Sequence, residues 1–496
     1  MLNRRAGAPV LIVGGGLAGL LLALRLCRKG MAVTVLEQHA GFGGFNGRLD
    51  ADTPLVCYSG LGLEPDGSLA RLLGGGSLFG ATPPRRMQVS DQVWFGDQQL
   101  DLPGSLAQFE AELGERHPSQ RGALATLCAD MQQVHRAIAD SSGMRGVAAR
   151  GAAFAVLRRF ATVRYRDYLA AAFDDPQLLR LLAVRAFSSN NSALTMLAYL
   201  AKILIDGAYM LPGAGAALTD ELLAQLRAQP GCTLLPSAPV ERILFGAGAR
   251  ASGVRLADGS ELSGDVVLNI DPAQLQHKLV RESGVLAALD QALAPHPVAL
   301  SALNLIFTLS ADLGRELGRY RHVARFFCSD DADPFAVLAA REAGVLDQRN
   351  CKVNIEFDAA GQARRVYAEL DCAEQAADFA AMAGSEAHRL APLVASVKQR
   401  LRRLQPDFDD GIARLDLITP HRFAALTGNR GGAASGFSDR PGAMRALDQV
   451  LARHGMLQIG QWSIYGSGLS QLDMGAQQAC ATLARQRAAE PLTAWR

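Results

Sequence analysis

At 496 residues the chain is too long for one small core, and near-half apolar content fits an interleaved globular enzyme of two or three domains. Fifty Lys and Arg against 48 Asp and Glu leave a formal charge of +2, which gives no basic footprint for nucleic acid and no acidic tail. The eight cysteines are scattered without a C-x-x-C pair and the nine histidines without H-E-x-x-H spacing, so neither a metal site nor a redox dithiol is expected. No G-x-S-x-G occurs, which leaves nucleophilic hydrolysis unsupported.

The first element organises the rest. Val10 to Val13 is a short apolar run suited to a parallel strand buried on both faces. Gly14, Gly16 and Gly19 follow in G-x-G-x-x-G spacing, then a helix over 20–29 and a second strand over 32–36 that ends at Glu37. In that pattern the first glycine permits the tight turn, the second lets a pyrophosphate approach and the third lets helix pack on strand. The N–H groups at the helix start, around Leu17 and Ala18, would hold phosphates, and Glu37, with Gln38 beside it, would meet a ribose hydroxyl. Residues 6–24 carry no charge and follow Arg4 and Arg5 like a signal peptide, but Pro9 and the glycines, with the acid-terminated strand behind them, argue against insertion. With no cleavage pattern, a reducing cytoplasm is the expected compartment.

A second glycine cluster, 41–48, reads as a loop beside the first turn. Residues 87–95 alternate in part and suggest a hairpin strand half exposed to a cavity. The stretch 106–204 is mostly helical, with Asp175-Pro176 opening one helix. Its most apolar piece, 193–205, is interrupted only by Lys202 and too short to span a bilayer. It reads as a core helix, a tunnel wall or a monotopic membrane patch. A Pro-Gly turn at 212–213 and a helix through 226 lead to a strand at 240–245, a hairpin around Asp258-Gly259 and a buried strand at 265–269. Between 300 and 370 four strand-like runs imply an antiparallel floor covered by the preceding helices, and 373–404 reads as an amphipathic helical segment. At the C-terminus come a strand over 456–460, a polar glycine loop over 461–468 and a small-residue helix over 474–485, placing another helix N-terminus beside a ligand.

These segments, in this order, carry a resemblance. Glu37 followed by Gly43 and Gly44 is similar to the glutathione-reductase-type FAD fold, whose Gly-Gly-Arg loop covers the diphosphate; here Phe45 takes the arginine position and the nearest arginine is Arg48. The Pro-Gly turn, the strand at Val240, the hairpin, the Asp-Val-Val strand and the Thr419-Pro420 segment with Gly428, Gly431, Gly432 and Gly436 resemble the phytoene-desaturase-like branch of FAD-dependent oxidoreductases and amine oxidases. The resemblance implies FAD as cofactor, Val240 at the adenine, and Gly460 and Gly468 at the flavin, with Leu469-Ser470-Gln471 replacing the usual third glycine and proline.

The fold class it implies is α/β: a glutathione-reductase-type Rossmann FAD-binding domain (1–105, 206–290 and 416–496), a helical substrate-binding insertion (106–205) and an interleaved α+β substrate domain (291–415). The implied reaction moves a hydride from a carbon of an apolar, apolar-tailed or carrier-presented small molecule to the flavin, as a desaturase or dehydrogenase would. Gln461, Trp462 and Tyr465 are the expected catalytic face, and peripheral membrane contact goes with a lipophilic substrate. An amine or amino-acid oxidase is the alternative, with Trp462 and Tyr465 as a flanking aromatic pair. A non-catalytic lipid-binding protein on the same fold is the other, against which the intact glycines and Glu37 speak.

Overall fold

The computed structural model describes residues 8–58, 60–74, 83–96, 98–142, 147–293, 296–329, 333–438 and 440–488, so Arg4 and Arg5 lie outside the described residues. The Val10–Val13 strand is the centre of a five-stranded parallel sheet. It lies between Asp265–Leu268 and Val33–Leu36, with Met456–Gln458 and Cys232–Leu235 at the two edges. These strands come from widely separated parts of the chain, which is what interleaves the domains. The first helix, Leu17–Cys27, is apolar and buried on nearly every side, Arg25 in its last turn being the one charged residue. Leu20, Leu21, Leu22 and Leu24 share one core with Leu218, Leu222 and Leu226 of the Ala214–Arg227 helix and Ala476, Cys480 and Leu483 of the Leu469–Ala488 helix. Each buried leucine contributes roughly 1.5–3 kcal/mol. A three-stranded antiparallel sheet, Glu261–Ser263, Ala251–Leu256 and Val240–Phe245, packs beside this domain.

The second large sheet has seven strands, in the order Ile412–Ile418, Ser301–Leu309, Ala363–Cys372, Asn350–Phe357, Phe326–Ser329, Val89–Phe95 and Gln98–Pro103. It is mixed rather than antiparallel, because Phe326–Ser329 pairs in parallel with Val89–Phe95. Residues 89–103, expected within a first nucleotide-domain part ending at 105, thus belong to this sheet. Nor is the Val89–Phe95 strand half exposed: it is buried from Ser90 onward, since Val93 enters the core under the helices while Trp94 enters the core on the opposite face. That opposite face is apolar, with Leu303, Leu305, Val353, Ile355 and Val366 packed on Val394, Val397 and Leu401 of the Ala391–Leu401 helix.

The face toward the helical insertion is covered by helices that include Arg121–Ser142, Tyr165–Ala172 and Ala193–Ala201. Two helical expectations change in detail. The 373–404 segment is broken, with Gly384 at φ +82° before the short Glu386–Arg389 helix, so the regular helix begins only at Ala391. The 193–205 helix turns from α to π geometry at Lys202–Asp206, a widening that is often found at functional sites. No described helix is long and apolar enough to cross a membrane.

Candidate functional site

Where the Val10–Val13 strand ends, Gly14 takes φ +102°, and a side chain there would strike the Asn269 carbonyl at 2.5 Å. Gly16 caps the Leu17–Cys27 helix with no side-chain hydrogen bond and no acid in the first turn, leaving its N–H groups directed at open space. Gly19 lies beneath, where a Cβ would meet the Gly14 carbonyl at 2.6 Å, so its role is the close packing of turn on helix. The second glycine loop crosses the first: the Gly43 N–H donates to the Gly15 carbonyl at 2.9 Å, and a Cβ on Gly44 would reach the Gly16 Cα at 3.4 Å. Such backbone-lined space suits a diphosphate and no bulky side chain.

Glu37 ends the second strand nearly buried. Its Oε2 accepts the Gly15 N–H at 2.8 Å and its Oε1 the His39 N–H at 2.9 Å. The carboxylate therefore braces the glycine turn, and each oxygen keeps a lone pair for a ribose hydroxyl. Gln38 lies alongside, its amide 3.2 Å from the His39 ring, and Val240 and Ala238 line the same end of the space. Asn269, at the end of the neighbouring strand, was not singled out by sequence reasoning. Its Nδ2 donates to the Gly14 and Gly16 carbonyls at 3.0 and 3.3 Å, and a Cβ on Gly460 would strike its Oδ1 at 2.4 Å. A polar residue closing an otherwise apolar strand was the available signal. Arg48 is turned outward into an ion pair with Asp220, and Phe45 packs on Phe423 with ring centroids 5.1 Å apart.

The loop 461–468 and Gly460 line the same cavity, together with the first turns of the Leu469–Ala488 helix. Gly468 sits at φ +101°. Gln461 donates to the Ala433 carbonyl at 2.9 Å, and the Trp462 indole N–H donates to Asn429 at 3.0 Å. The Trp462 ring is nearly sealed between Phe437, edge-on at 5.0 Å, and Arg430, whose guanidinium lies 5.4 Å from the ring centre. Its ring contact is thus with Phe437. Tyr465 lies nearer the Leu469–Ala488 helix, against Gly475, and burial with Asp448 nearby raises its pKa.

From this cradle one cavity of about 1380 Å³ runs into the second domain. It exceeds the ~300–1,000 Å³ of ordinary small-molecule sites. Its far floor is the helix-facing side of the seven-stranded sheet, and that side is charged. Along Asn350–Phe357 the side chains alternate between Val353, Ile355 and Phe357 on the apolar face and Lys352, Asn354 and Glu356 on the other. Along Ala363–Cys372 Arg365, Tyr367, Glu369 and Asp371 do the same. Lys352 donates to Glu369 at 3.2 Å and to Asp371 at 2.8 Å; Arg365 meets Glu356 at 3.1 Å; Arg185, from the helical layer, pairs with the fully buried Asp91. Burial opposes the Lys352 charge, but Asp371 and Glu369 outweigh it and hold its pKa up.

Tyr199 and Lys202 reach the cavity from the apolar helix and its π turn. Lys202 bridges Glu64 at 2.9 Å and Asp206 at 2.6 Å, and Asp206 also faces His135 at 3.0 Å. Burial works against the Asp206 carboxylate, yet His135 and Lys202 keep its pKa below the usual range. Leu197 and Leu200 of the same helix point into the core. Sequence reasoning found this helix but missed the charged floor, although the period-two polar pattern of 352–356 and 365–371 was there to be read. Among the described residues no group of His, Cys, Asp and Glu is arranged to hold a metal ion.

A glycine cradle on a central parallel strand, an acid at the second strand end and a cavity leading to an interleaved second sheet define a Rossmann-type α/β fold. Residues 12–51 match the family model of the NAD(P)-binding Rossmann-like domain. A comparison with curated protein sequences finds none that matches the chain. Solved structures similar along nearly the whole chain include an oxidoreductase from Methanosarcina mazei (14% identity, TM-score 0.59, covering 95% of this chain and 100% of that one). Another is cyclohexylamine oxidase from Brevibacterium oxydans IH-35A (15%, 0.60, 97% and 99%). A third is putrescine oxidase bound to putrescine (14%, 0.59, 96% and 99%). At these identities the likeness establishes the fold, an α/β architecture shared with oxidoreductases.

Proposed function

We propose that the chain is an FAD-dependent oxidoreductase that takes a hydride from a carbon of a small-molecule substrate. The observation that carries this reading is the continuity of one cavity from the Gly14–Gly16 turn and Glu37 to the charged floor around Lys352. A cofactor held at one end and a substrate at the other meet within it, and the residues fit FAD. The first-turn N–H groups beside Leu17 and Ala18 would take the diphosphate, with Gly43 and Gly44 crossing above it. Glu37 would take the ribose and Val240 the adenine. The space lined by Gly460, Gln461 and Gly468 is left for the ring system.

Bound there, the flavin supplies the hydride acceptor at N5. The chain's own contribution is orientation and exclusion of water. Trp462, locked by Asn429 and Phe437, gives the loop a rigid base, and Gln461 and Tyr465 edge the space above it. A donor carbon has to be held roughly 3–3.5 Å from its acceptor, a tolerance that such buried, hydrogen-bonded walls can meet. The charged floor favours a substrate with a polar head over a bare hydrocarbon, because an apolar ligand would strip water from these ion pairs and offer no hydrogen bond in return. The apolar helical wall leaves room for an apolar body.

Purified protein saturated with FAD and freed of excess tests the reading. Loss of oxidised-flavin absorbance under anaerobic conditions, with at least one of a panel of amines, amino acids, hydroxy acids and unsaturated-chain precursors, is the expected result. Retained flavin that none of these classes reduces would leave a binding protein on the same fold.

A further inference from the structure

The cations that reach the cavity floor are not equivalent. Lys352 on the sheet and Arg185 above it each have a carboxylate within ion-pair distance. Arg325, just before the Phe326–Ser329 strand, has none among the described residues. Its Nη1 donates to the Tyr199 hydroxyl at 3.3 Å, and its Nε is sealed from solvent with no hydrogen-bond partner among them. Asp91 and Glu369 lie near enough to favour its charge, but each is already paired, with Arg185 and Lys352, so this part-buried guanidinium is a cation at the cavity wall left to meet a ligand anion. Two neighbours in the same wall are equally uncommitted. The Tyr199 hydroxyl accepts from Arg325 and keeps its own proton to donate, and the buried Asn354 amide oxygen has no partner among the described residues.

We propose that Arg325, Tyr199 and Asn354 form an oxyanion-recognition site at the inner end of the cavity, and that the substrate is a carboxylic acid anchored there. With Nη1 engaged by Tyr199 and Nε sealed, Nη2 is the Arg325 nitrogen left to donate a charge-assisted hydrogen bond to a carboxylate. The Tyr199 hydroxyl and the Asn354 amide N–H groups complete the donor set. Glu369 does not cancel the site, since Lys352 already occupies it. Tyr199 fits the same picture: burial disfavours its charged form, but Arg325 and Arg185 outweigh that and lower its pKa, as a locally positive pocket requires. An acid held by its carboxylate at this end would extend its carbon chain back toward Gln461 and Tyr465. The assignment rests on the oxidoreductase reading only for what happens at the far end of the chain.

The test uses straight-chain carboxylates of graded length and the matched amines and alcohols. Binding is read by the melting temperature of the FAD-saturated protein and by perturbation of the flavin spectrum. Carboxylates are expected to bind and matched amines and alcohols not to compete. Arg325→Gln should weaken carboxylate binding at least tenfold with flavin content unchanged, and Arg325→Lys should restore part of it. If Arg325→Gln does not fold, Tyr199→Phe carries the same test, with a several-fold loss expected. Tighter binding of the amines, unchanged affinity in Arg325→Gln, or no carboxylate binding to wild type would overturn the proposal. Absence of retained flavin would instead sink the oxidoreductase reading, and carboxylate binding would still be read from melting alone.

Discussion

Glu37 does two jobs through one carboxylate. It accepts the Gly15 and His39 N–H groups and so shapes the turn, and in the proposed FAD complex its remaining lone pairs would take the ribose. The two roles separate by substitution. Glu37→Gln keeps the size but only one acceptor oxygen, so FAD affinity is expected to fall about tenfold, equivalent to about 1.4 kcal/mol, and the melting temperature less than in Glu37→Ala, since one of the two backbone N–H groups keeps its partner. Glu37→Ala leaves backbone donors unpaired and should lower both affinity and melting temperature. Equal flavin dissociation constants in wild type and both variants would remove Glu37 from the cofactor site. Asp448, opposite Tyr465, offers a pH-dependent prediction. Burial raises its pKa from 3.8 to about 6, so the folded state binds the proton more tightly than the unfolded one. Stability from this group is fully present below pH 3.8 and is lost as pH rises through about 6. Asp448→Asn should therefore raise stability at neutral pH, on the order of 1 kcal/mol once screening by solvent is allowed for, and have no such effect near pH 3. Melting curves across that range check it, and a pH-independent difference would contradict it.

At the scale of elements, the apolar helix Ala193–Ala201 divides its faces. Leu197 is wholly buried in the core beneath the helical layer, whereas Thr195, Ala198 and Tyr199 line the cavity. Leu197→Ala is expected to cost about 2–5 kcal/mol of stability and leave ligand affinity unchanged in the folded fraction. Tyr199→Phe should do the reverse. A Leu197 variant with wild-type melting and altered binding would invert this assignment. The same helix shows why some of the site was legible in the sequence and some was not. Its apolar run announced a buried helix, but every turn of it is apolar, so the run could not say which side faced a core and which a cavity. On the sheet the alternation of Lys352, Asn354 and Glu356 with Val353, Ile355 and Phe357 was visible, yet polar alternate residues ordinarily face water. Only the helical layer above, folded from residues far away in sequence, turns that face into the floor of a closed space. The glycine turn was readable for the opposite reason: strand, turn, helix and acid are contiguous, and each constrains the next over a few residues. The Trp462 and Tyr465 spacing could not tell that the indole would be taken up by Asn429 and Phe437, both brought in by a separate loop.

For the whole molecule, the interleaving is the functional device. The parallel sheet is assembled from strands at residues 10, 33, 232, 265 and 456 onward, and the excursions between them build the seven-stranded sheet and its helical cover. The glycine turn and the charged floor therefore line one cavity. The central claim is that this cavity holds FAD with its diphosphate on the Gly14–Gly16 turn. The most direct measurement is the FAD dissociation constant of wild type beside Gly16→Val, a substitution whose Cβ alone would come within 3.1 Å of Asn269 Nδ2 and whose branches would fill the diphosphate space. The account predicts that wild type retains FAD through gel filtration and that Gly16→Val, still folded by its melting curve, binds at least a hundredfold more weakly, about 2.7 kcal/mol. Wild type that holds no FAD at saturation, or a Gly16→Val protein that binds it equally well, would contradict the account.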